Sequence, residues 1–336
     1  MNDLTEVIVM AQLIREIVKT DVPYIYDLVK LAAINGKRED GTFNPNKEVG
    51  EENYNPSAQI VNIERLGGMT NHSYKVTLND GTELLVRIPG EGTEEMINRN
   101  AERKSTELGC RLHLDSDLYW FGDNGTKVMR FIHSSLPMTE TVLRKSANIA
   151  QASNIFRTLH TCGVDTGVRF EVFEMAELYE KIILEKHVNL YHDYYDVKQI
   201  IFEIKAEVDK NGIVKRVPCH NDSLVGNWVL DENDRLYLID WEYSGMNEPM
   251  WDLSCLSIEC GYSEDNDNEL LTDYFEANPT VEQKKRFLAS KLYVDYLWTL
   301  WGLTRVPFDG QFMQDYADNR YERLKNNITA YQKVAG

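Results

Sequence analysis

The sequence predicts an α+β protein in which a small antiparallel sheet precedes a larger helical region. Short runs of alternating apolar residues lie between residues 57 and 133, and Asn79-Asp80-Gly81 is a hairpin turn signal among them. Residues 139–333 consist mainly of long segments with apolar residues at helical spacing. The chain of 336 residues is longer than an ordinary single domain, so we expect two compact parts.

Residues 1–56 predict a helical N-terminal extension that ends in a polar linker. Apolar residues recur at helical spacing in residues 4–19, and residues 23–34 predict a second helix that starts with a proline. Residues 36–56 are rich in Gly, Asn and Pro and therefore predict a loop.

Residues 57–133 predict a small sheet with one helix. The predicted strands span residues 60–66, 73–78, 84–88, 117–121 and 127–132. A helix is expected at residues 93–108, between the third and the fourth strand.

Residues 134–336 predict a mainly helical part with two short strands in its middle. The predicted helices span residues 139–161, 171–187, 193–210, 250–260, 264–277, 281–303 and 311–333. The strands at residues 228–230 and 236–239 are joined by a polar turn. A small sheet followed by a large helical region indicates an enzyme with two lobes and a cleft.

Charge and composition exclude several kinds of partner. The chain has 54 acidic and 36 basic side chains and a net charge of −18, which argues against nucleic acid and anionic membranes as partners. No apolar run is long enough for membrane insertion, and Asp3 and Glu6 stand where a signal peptide would carry positive charge. The five cysteines form no CxxC pair, so we expect reduced thiols and a cytoplasmic protein.

The densest polar cluster in an apolar setting is His220-Asn221-Asp222, which is followed by Asn227, a predicted hairpin and then Asp240. Phosphoryl transfer from ATP needs a carboxylate that orients the acceptor hydroxyl and oxygen ligands that hold Mg²⁺. Asp222 fits the first role, and Asn227 and Asp240 fit the second. We expect His220 to brace the loop. The ordered set predicts a kinase that uses ATP and Mg²⁺.

Residues 218–252, which contain this motif, resemble the choline/ethanolamine kinase family and its bacterial choline kinases in particular. The resemblance covers about residues 57–333 and leaves residues 1–56 unmatched. It implies a two-lobed protein-kinase-like fold. Residues 57–133 would form the nucleotide-binding N-lobe, and residues 134–336 the C-lobe that carries the catalytic and substrate-binding groups.

The resemblance also implies a set of nucleotide-binding residues. These are Gly67, Gly68, Asn71, Arg87, Glu102, Met129 and Ile132. The two glycines would let the backbone approach phosphate groups. Arg87 lies in an apolar strand and would steady the phosphates, with Glu102 on the next helix as its partner. Adenine would bind the backbone of the strand that links the lobes.

A second set of residues is implied for the phosphate acceptor. These are Tyr243, Glu259, Trp298, Trp301, Tyr316 and Glu242. The two tryptophans are three residues apart and share a helix face. Aromatic faces can select a trimethylammonium group, which has no N–H to donate, and Glu259 would add a negative charge. Glu242 could serve either the cation or the metal, and Asp252 is expected to hold the catalytic loop through its backbone.

Choline is the preferred acceptor, and phosphocholine the expected product. Ethanolamine remains an alternative, because Met313 stands where eukaryotic members have a further aromatic residue. An aminoglycoside or another amino alcohol is a further alternative, because an acidic cleft would suit a polyamine. A non-catalytic binding protein on a kinase scaffold is a third reading. The presence of Asp222, Asn227 and Asp240 together argues against it.

Overall fold

The computed structural model describes residues 21, 24–29, 32, 60–66, 71–90, 97–134, 136–210, 212 and 215–335. The helix predicted at residues 4–19, the linker at 36–56 and the Gly67-Gly68 pair lie outside these residues. The chain divides into two compact units. The first contains Met1–Ser135 and Ile239–Glu242, and the second contains Leu136–Leu238 and Tyr243–Gly336.

The first unit is built on a five-stranded antiparallel sheet, as predicted. Its strands are β1 (Ile60–Arg65), β2 (Asn71–Leu78), β3 (Glu83–Pro89), β4 (Leu118–Phe121) and β5 (Lys127–Arg130). Their order across the sheet is β1-β2-β3-β5-β4, so β3 is the central strand. The register places Arg87 of β3 opposite Ser73 on one side and Lys127 on the other.

Within the described residues, two helices accompany this sheet. In α1 (residues 24–29, with Ala32 also helical), the apolar residues Ile25, Leu28 and Ala32 are buried in one core with the strands. This is the spacing of one helix face, so the described part of the predicted extension packs on the sheet. Helix α2 (Arg99–Arg111) starts after Asn98, whose side chain accepts the N–H groups at the first turn.

The second unit contains eight α-helices within residues 136–335. They are α3 (Glu140–Leu143), α4 (Ser146–Thr161), α5 (Val172–Glu185), α6 (Tyr194–Asp209), α7 (Pro249–Cys260), α8 (Glu264–Phe275), α9 (Val281–Asp309) and α10 (Gln311–Ala335). The single helix predicted at residues 139–161 is wrong, because Lys145 has an extended backbone between α3 and α4. Helix α9 continues six residues past its predicted end at 303, to Asp309.

Four short strands surround the polar motif. They are β6 (Val217–Cys219), β7 (Trp228–Leu230), β8 (Leu236–Leu238) and β9 (Gly245–Asn247). The predicted β7–β8 hairpin is confirmed, and β6 also pairs antiparallel with β9. This second pairing brings Cys219, which directly precedes the motif, opposite Gly245.

Neither transmembrane helices nor disulfides occur in the described part of the chain. None of its helices combines the length and the apolar character needed to cross a membrane. All five cysteines are free thiols, as the sequence predicts.

Candidate active site

The loop that carries Asp222 is held by Asp252, near the start of α7. The backbone N–H groups of His220 and Asn221 donate to the two carboxylate oxygens of Asp252 at 2.8 and 2.7 Å. His160 of α4 contacts the same carboxylate at 3.0 Å. The bracing role predicted for Asp252 is thereby confirmed.

Within this loop, Asn221 has a φ of 69°, in the left-handed region that favours glycine. Its side chain offsets that cost, because Nδ2 donates to the carbonyl of Tyr243 at 3.0 Å and Oδ1 accepts from Asn247 at 3.0 Å. His220 is buried, and its Nδ1 accepts the backbone N–H of Asp222 at 3.3 Å. It therefore braces the loop, as expected.

Asp222 and Asn227 lie side by side. The amide nitrogen of Asn227 donates to the main-chain oxygen of Asp222 at 2.7 Å and to its carboxylate Oδ2 at 3.2 Å. The amide oxygen of Asn227 takes no part in these two bonds and can serve as a ligand for a hard cation. The hydrogen bond to Oδ2 thus fixes the orientation of the Asp222 carboxylate, which is the predicted base.

Four aromatic rings of the second unit form a continuous row, which we call the aromatic wall. It consists of Tyr243, Trp298, Trp301 and Tyr316. Successive ring centroids are 5.1, 5.9 and 5.8 Å apart, and each pair meets edge to face. The indole nitrogens of Trp298 and Trp301 are buried without a hydrogen bond in the described structure. Among the described residues, neither indole N–H is therefore committed to a protein acceptor.

Charged groups of the second unit lie near the wall. Burial raises the pKa of Tyr316, Arg320 lowers it, and the charges of Glu259 and Asp222 raise it further. The Glu259 Oε1 atom accepts a hydrogen bond of 2.6 Å from Arg320. The second unit therefore brings Asp222, Glu259 and the wall into one region.

In the first unit, the Arg87 guanidinium is surrounded by carboxylates. It donates to Glu102 at 2.6 Å and to Glu242, and its Nη2 lies 3.1 Å from Asp240 Oδ1. Burial lowers the pKa of Arg87, but the charges of Asp240, Glu242 and Glu102 outweigh it and raise that pKa. The predicted Arg87–Glu102 pair is confirmed.

Glu102, Asp240 and Glu242 offer oxygen atoms within 4.8 Å of one another. Burial and the charge of Asp240 raise the pKa of Glu242. Asp240 Oδ1 is buried, and among the described residues it has the ion pair with Arg87 but no hydrogen bond. Arg87 contacts Asp240 Oδ1 and Glu242 Oε2, and the second oxygen of each of these two carboxylates is a ligand of the kind that Mg²⁺ prefers. Glu242 also accepts from Asn71 at 3.3 Å, so its described contacts belong to this cluster. They favour the metal for Glu242 rather than the acceptor.

Of the remaining residues that are predicted to bind the nucleotide, only Met129 and Ile132 belong to the described structure. Gly67 and Gly68 lie outside the described residues. Met129 is buried in β5 and pairs with β3 and β4 on its two sides, so its backbone belongs to the sheet. Ile132 follows the end of β5 and is half-buried. An adenine contact therefore fits Ile132 better than Met129.

The sequence analysis missed two charged residues, one beside the carboxylates around Arg87 and one beside Glu259. Lys127 lies opposite Arg87 in the sheet, with its Nζ 3.5 Å from Glu102 Oε1. Arg320 lies four residues after Tyr316 and reaches Asp295 as well as Glu259. One signal was present: Asp295 interrupts an apolar helical segment, and a buried carboxylate needs a cationic partner.

Comparisons with known proteins agree with this geometry. Residues 63–331 match the sequence model of the family described as Choline/ethanolamine kinase. Protein LicA of Haemophilus influenzae is 27% identical over 271 residues, which is 78% of each chain.

Solved structures of choline kinases are also similar to this chain. The choline kinase LicA from Streptococcus pneumoniae has a TM-score of 0.71 and 30% identity, and the match covers 81% of this chain and 95% of that one. LicA in complex with AMP has a TM-score of 0.70 and 29% identity, and the match covers 82% of this chain and 94% of that one. These matches confirm the predicted α+β, protein-kinase-like fold class.

Proposed function

Because this chain belongs to the choline/ethanolamine kinase family and is a small-molecule kinase, we propose that it transfers the γ-phosphoryl group of ATP to the hydroxyl group of choline. The observation that carries this proposal is the aromatic wall, which lies in the same unit as Asp222 and Glu259. A wall of four rings beside a carboxylate suits a cation that has no hydrogen bond to donate.

The wall favours a quaternary ammonium over the other acceptors. Each ring face contributes about 0.5–2 kcal/mol toward a cation, and the upper end of that range applies where water is excluded. Trp298 and Trp301 are almost fully buried, so their faces are largely shielded from water. An aminoglycoside needs many hydrogen-bond acceptors, whereas the two indoles accept none.

Asp222 is the proposed base. Its carboxylate orients the choline hydroxyl and takes its proton while the choline oxygen forms a bond to the γ-phosphorus of ATP. The bond between that phosphorus and the bridging oxygen breaks, and ADP leaves with the electron pair. Asn227 keeps the carboxylate in place through its 3.2 Å hydrogen bond.

Arg87, oriented by Glu102, is proposed to steady the phosphates. Asp240 and Glu242 are proposed to hold Mg²⁺, and Asn227 stays a predicted ligand. When bound, Mg²⁺ neutralises the charge that develops on the phosphate oxygens. Gly67, Gly68, Asn71 and Ile132 stay predicted nucleotide contacts.

The role of Asp222 can be tested by the Asp222→Asn variant. We expect kcat to fall by about 10²–10⁴, because an amide cannot accept the proton. The matched control is Asp265→Asn, which changes an exposed carboxylate on α8 and should leave kcat as in the wild type. Near wild-type turnover by Asp222→Asn would remove this residue from the role of base.

The acceptor can be identified by ADP release with choline, ethanolamine and an aminoglycoside, with and without Mg²⁺. We expect the highest kcat/KM for choline. A clear preference for the aminoglycoside would replace the proposed substrate. Absence of ATP turnover with every amino alcohol would favour the non-catalytic reading instead.

A further inference from the structure

A cluster of alternating charges lies beside Tyr316, one ring of the aromatic wall. Arg320 of α10 donates to Glu259 Oε1 at 2.6 Å and to Asp295 Oδ1 at 3.3 Å. Its guanidinium carbon lies 4.5 Å from the centroid of the Tyr316 ring. Arg320 is therefore in contact with both the carboxylate and one ring of the proposed cation site.

The two arginines of this cluster share Asp295 but differ in their contact with Glu259. Arg323 binds Asp295 through two hydrogen bonds of 2.9 and 2.6 Å, and Asp295 is fully buried. Arg323 lies 3.9 Å from Glu259 Oε1, beyond hydrogen-bond distance. Glu259 thus depends on Arg320, whereas Asp295 keeps a strong partner without it.

This pairing determines what Glu259 can offer to a ligand. A carboxylate that already binds a guanidinium has less charge and fewer lone pairs for a second cation. A primary ammonium has N–H groups that lose their water partners on binding and need new acceptors. A quaternary ammonium has none, so the loss of an acceptor costs it little.

We propose that Arg320 is a specificity-determining residue: by occupying Glu259, it makes the site select a quaternary over a primary ammonium. The proposal rests on the proposed function, because it concerns the site that binds the acceptor. Arg320 also lies over one face of Tyr316, which keeps that ring in place beside Trp301.

The test measures binding of tetramethylammonium and methylammonium to the full chain by tryptophan fluorescence, so that it does not depend on turnover. We expect the wild type to prefer tetramethylammonium. In Arg320→Gln the ratio of the two Kd values should shift toward methylammonium by about tenfold or more, because Glu259 becomes available. Arg323→Gln is the matched control and should change this ratio by less than about twofold.

A thermal melt followed by circular dichroism establishes that each variant is folded. An unchanged ratio in folded Arg320→Gln would overturn the inference while leaving the proposed function intact. A wild type that binds neither cation would overturn both.

Glu259→Gln provides an independent test should Arg320→Gln not fold. Since Glu259 is occupied in the wild type, the ratio should stay within about twofold. A tenfold loss of methylammonium relative to tetramethylammonium would mean that Glu259 binds the primary ammonium directly, and would overturn the inference.

Discussion

Two residues of the polar motif have a backbone conformation that side chains rarely adopt. Asn221 and Asp240 both have a φ of 69°. Asn and Asp tolerate this region better than other residues with a side chain, because their short polar groups can bond locally. The motif thus specifies backbone shape as well as chemistry, since Asn221 precedes the proposed base and Asp240 is a proposed metal ligand.

Trp241 separates the two proposed metal ligands Asp240 and Glu242 and is fully buried. Its indole N–H donates to Asp115 at 3.1 Å, and its ring lies so close to Gly109 that a Cβ there would be 2.5 Å away. A side chain at residue 109 would therefore displace Trp241. This anchor fixes the short segment that carries both carboxylates.

The buried carboxyl group of Asp115 should make stability depend on pH. Burial raises the pKa of Asp115 from 3.8 to about 6, although Lys127 and the hydrogen bond from Trp241 lower it. The folded chain therefore binds this proton more tightly than the unfolded chain does. The resulting stabilisation is complete below about pH 4 and is lost as the pH rises through about 6.

Asp115→Asn should remove this dependence. The free energy of unfolding of the variant, relative to the wild type, should increase by about 2 kcal/mol between pH 4 and pH 7. Chemical denaturation at both pH values measures this difference, with Asp123→Asn at an exposed position as the control. A difference that does not change with pH would contradict the assigned shift.

The aromatic wall depends on the close approach of helices α9 and α10. Gly302 of α9 faces Tyr316 and Ala317 of α10. A Cβ at residue 302 would lie 2.8 Å from Tyr316 Cδ1 and 3.2 Å from Ala317 Cβ. Small residues on both helices thus allow Tyr316 to reach Trp301.

Gly302→Ala should therefore displace the Tyr316 ring. We expect the KM for choline to rise by about tenfold, with the KM for ATP unchanged, because the cation loses one ring face. Alanine favours helix over glycine by about 1 kcal/mol, so a gain in stability with an unchanged KM would contradict the steric explanation. Asn319→Ala, at an exposed position of α10, is the control for both steady-state measurements.

Long periodic elements could be predicted from the sequence, and so could the β7–β8 hairpin, which has a polar turn, whereas the break between α3 and α4 and the strands β6 and β9 could not. The strands of the first sheet and the helices of the second unit follow apolar spacing over many residues. The break between α3 and α4 has no proline or glycine to announce it; there Arg144 donates to the carbonyl of Cys260 at 2.6 Å, a partner 116 residues away. The strands β6 and β9 have three residues each, too few to display a period.

In the candidate site, the sequence predicted some pairs of residues that lie within one unit. It did not predict the charged residues that surround them. The Arg87–Glu102 pair and the role of Asp252 followed from the resemblance and the chemistry of buried ions. Arg320 was missed because an arginine on a helix usually faces water. Its burial depends on Glu259 and Asp295 from two other helices, which a single sequence does not place together.

The net charge of the whole molecule affects how its substrates arrive. The chain carries a net charge of −18, so a cationic acceptor is attracted over a distance comparable to the Debye length, about 10 Å at 0.1 M salt. ATP is anionic and is repelled by the same field. The two substrates should therefore respond to salt in opposite directions.

The salt dependence can be isolated with a neutral acceptor. We expect kcat/KM for choline to fall by about threefold between 20 and 200 mM NaCl, because screening weakens the attraction of the cation. The alcohol 3,3-dimethylbutanol has the shape of choline with carbon in place of the charged nitrogen, so its kcat/KM at saturating ATP should stay constant. If salt lowers kcat/KM equally for both acceptors, the effect arises from ATP or from the fold and not from attraction of the cation. A lower kcat/KM for the neutral alcohol at every salt concentration is also expected, because a neutral group lacks the electrostatic attraction of a cation to the ring faces of the aromatic wall. If the neutral alcohol is as good an acceptor as choline, the wall is an apolar pocket and cation recognition is lost from the proposal.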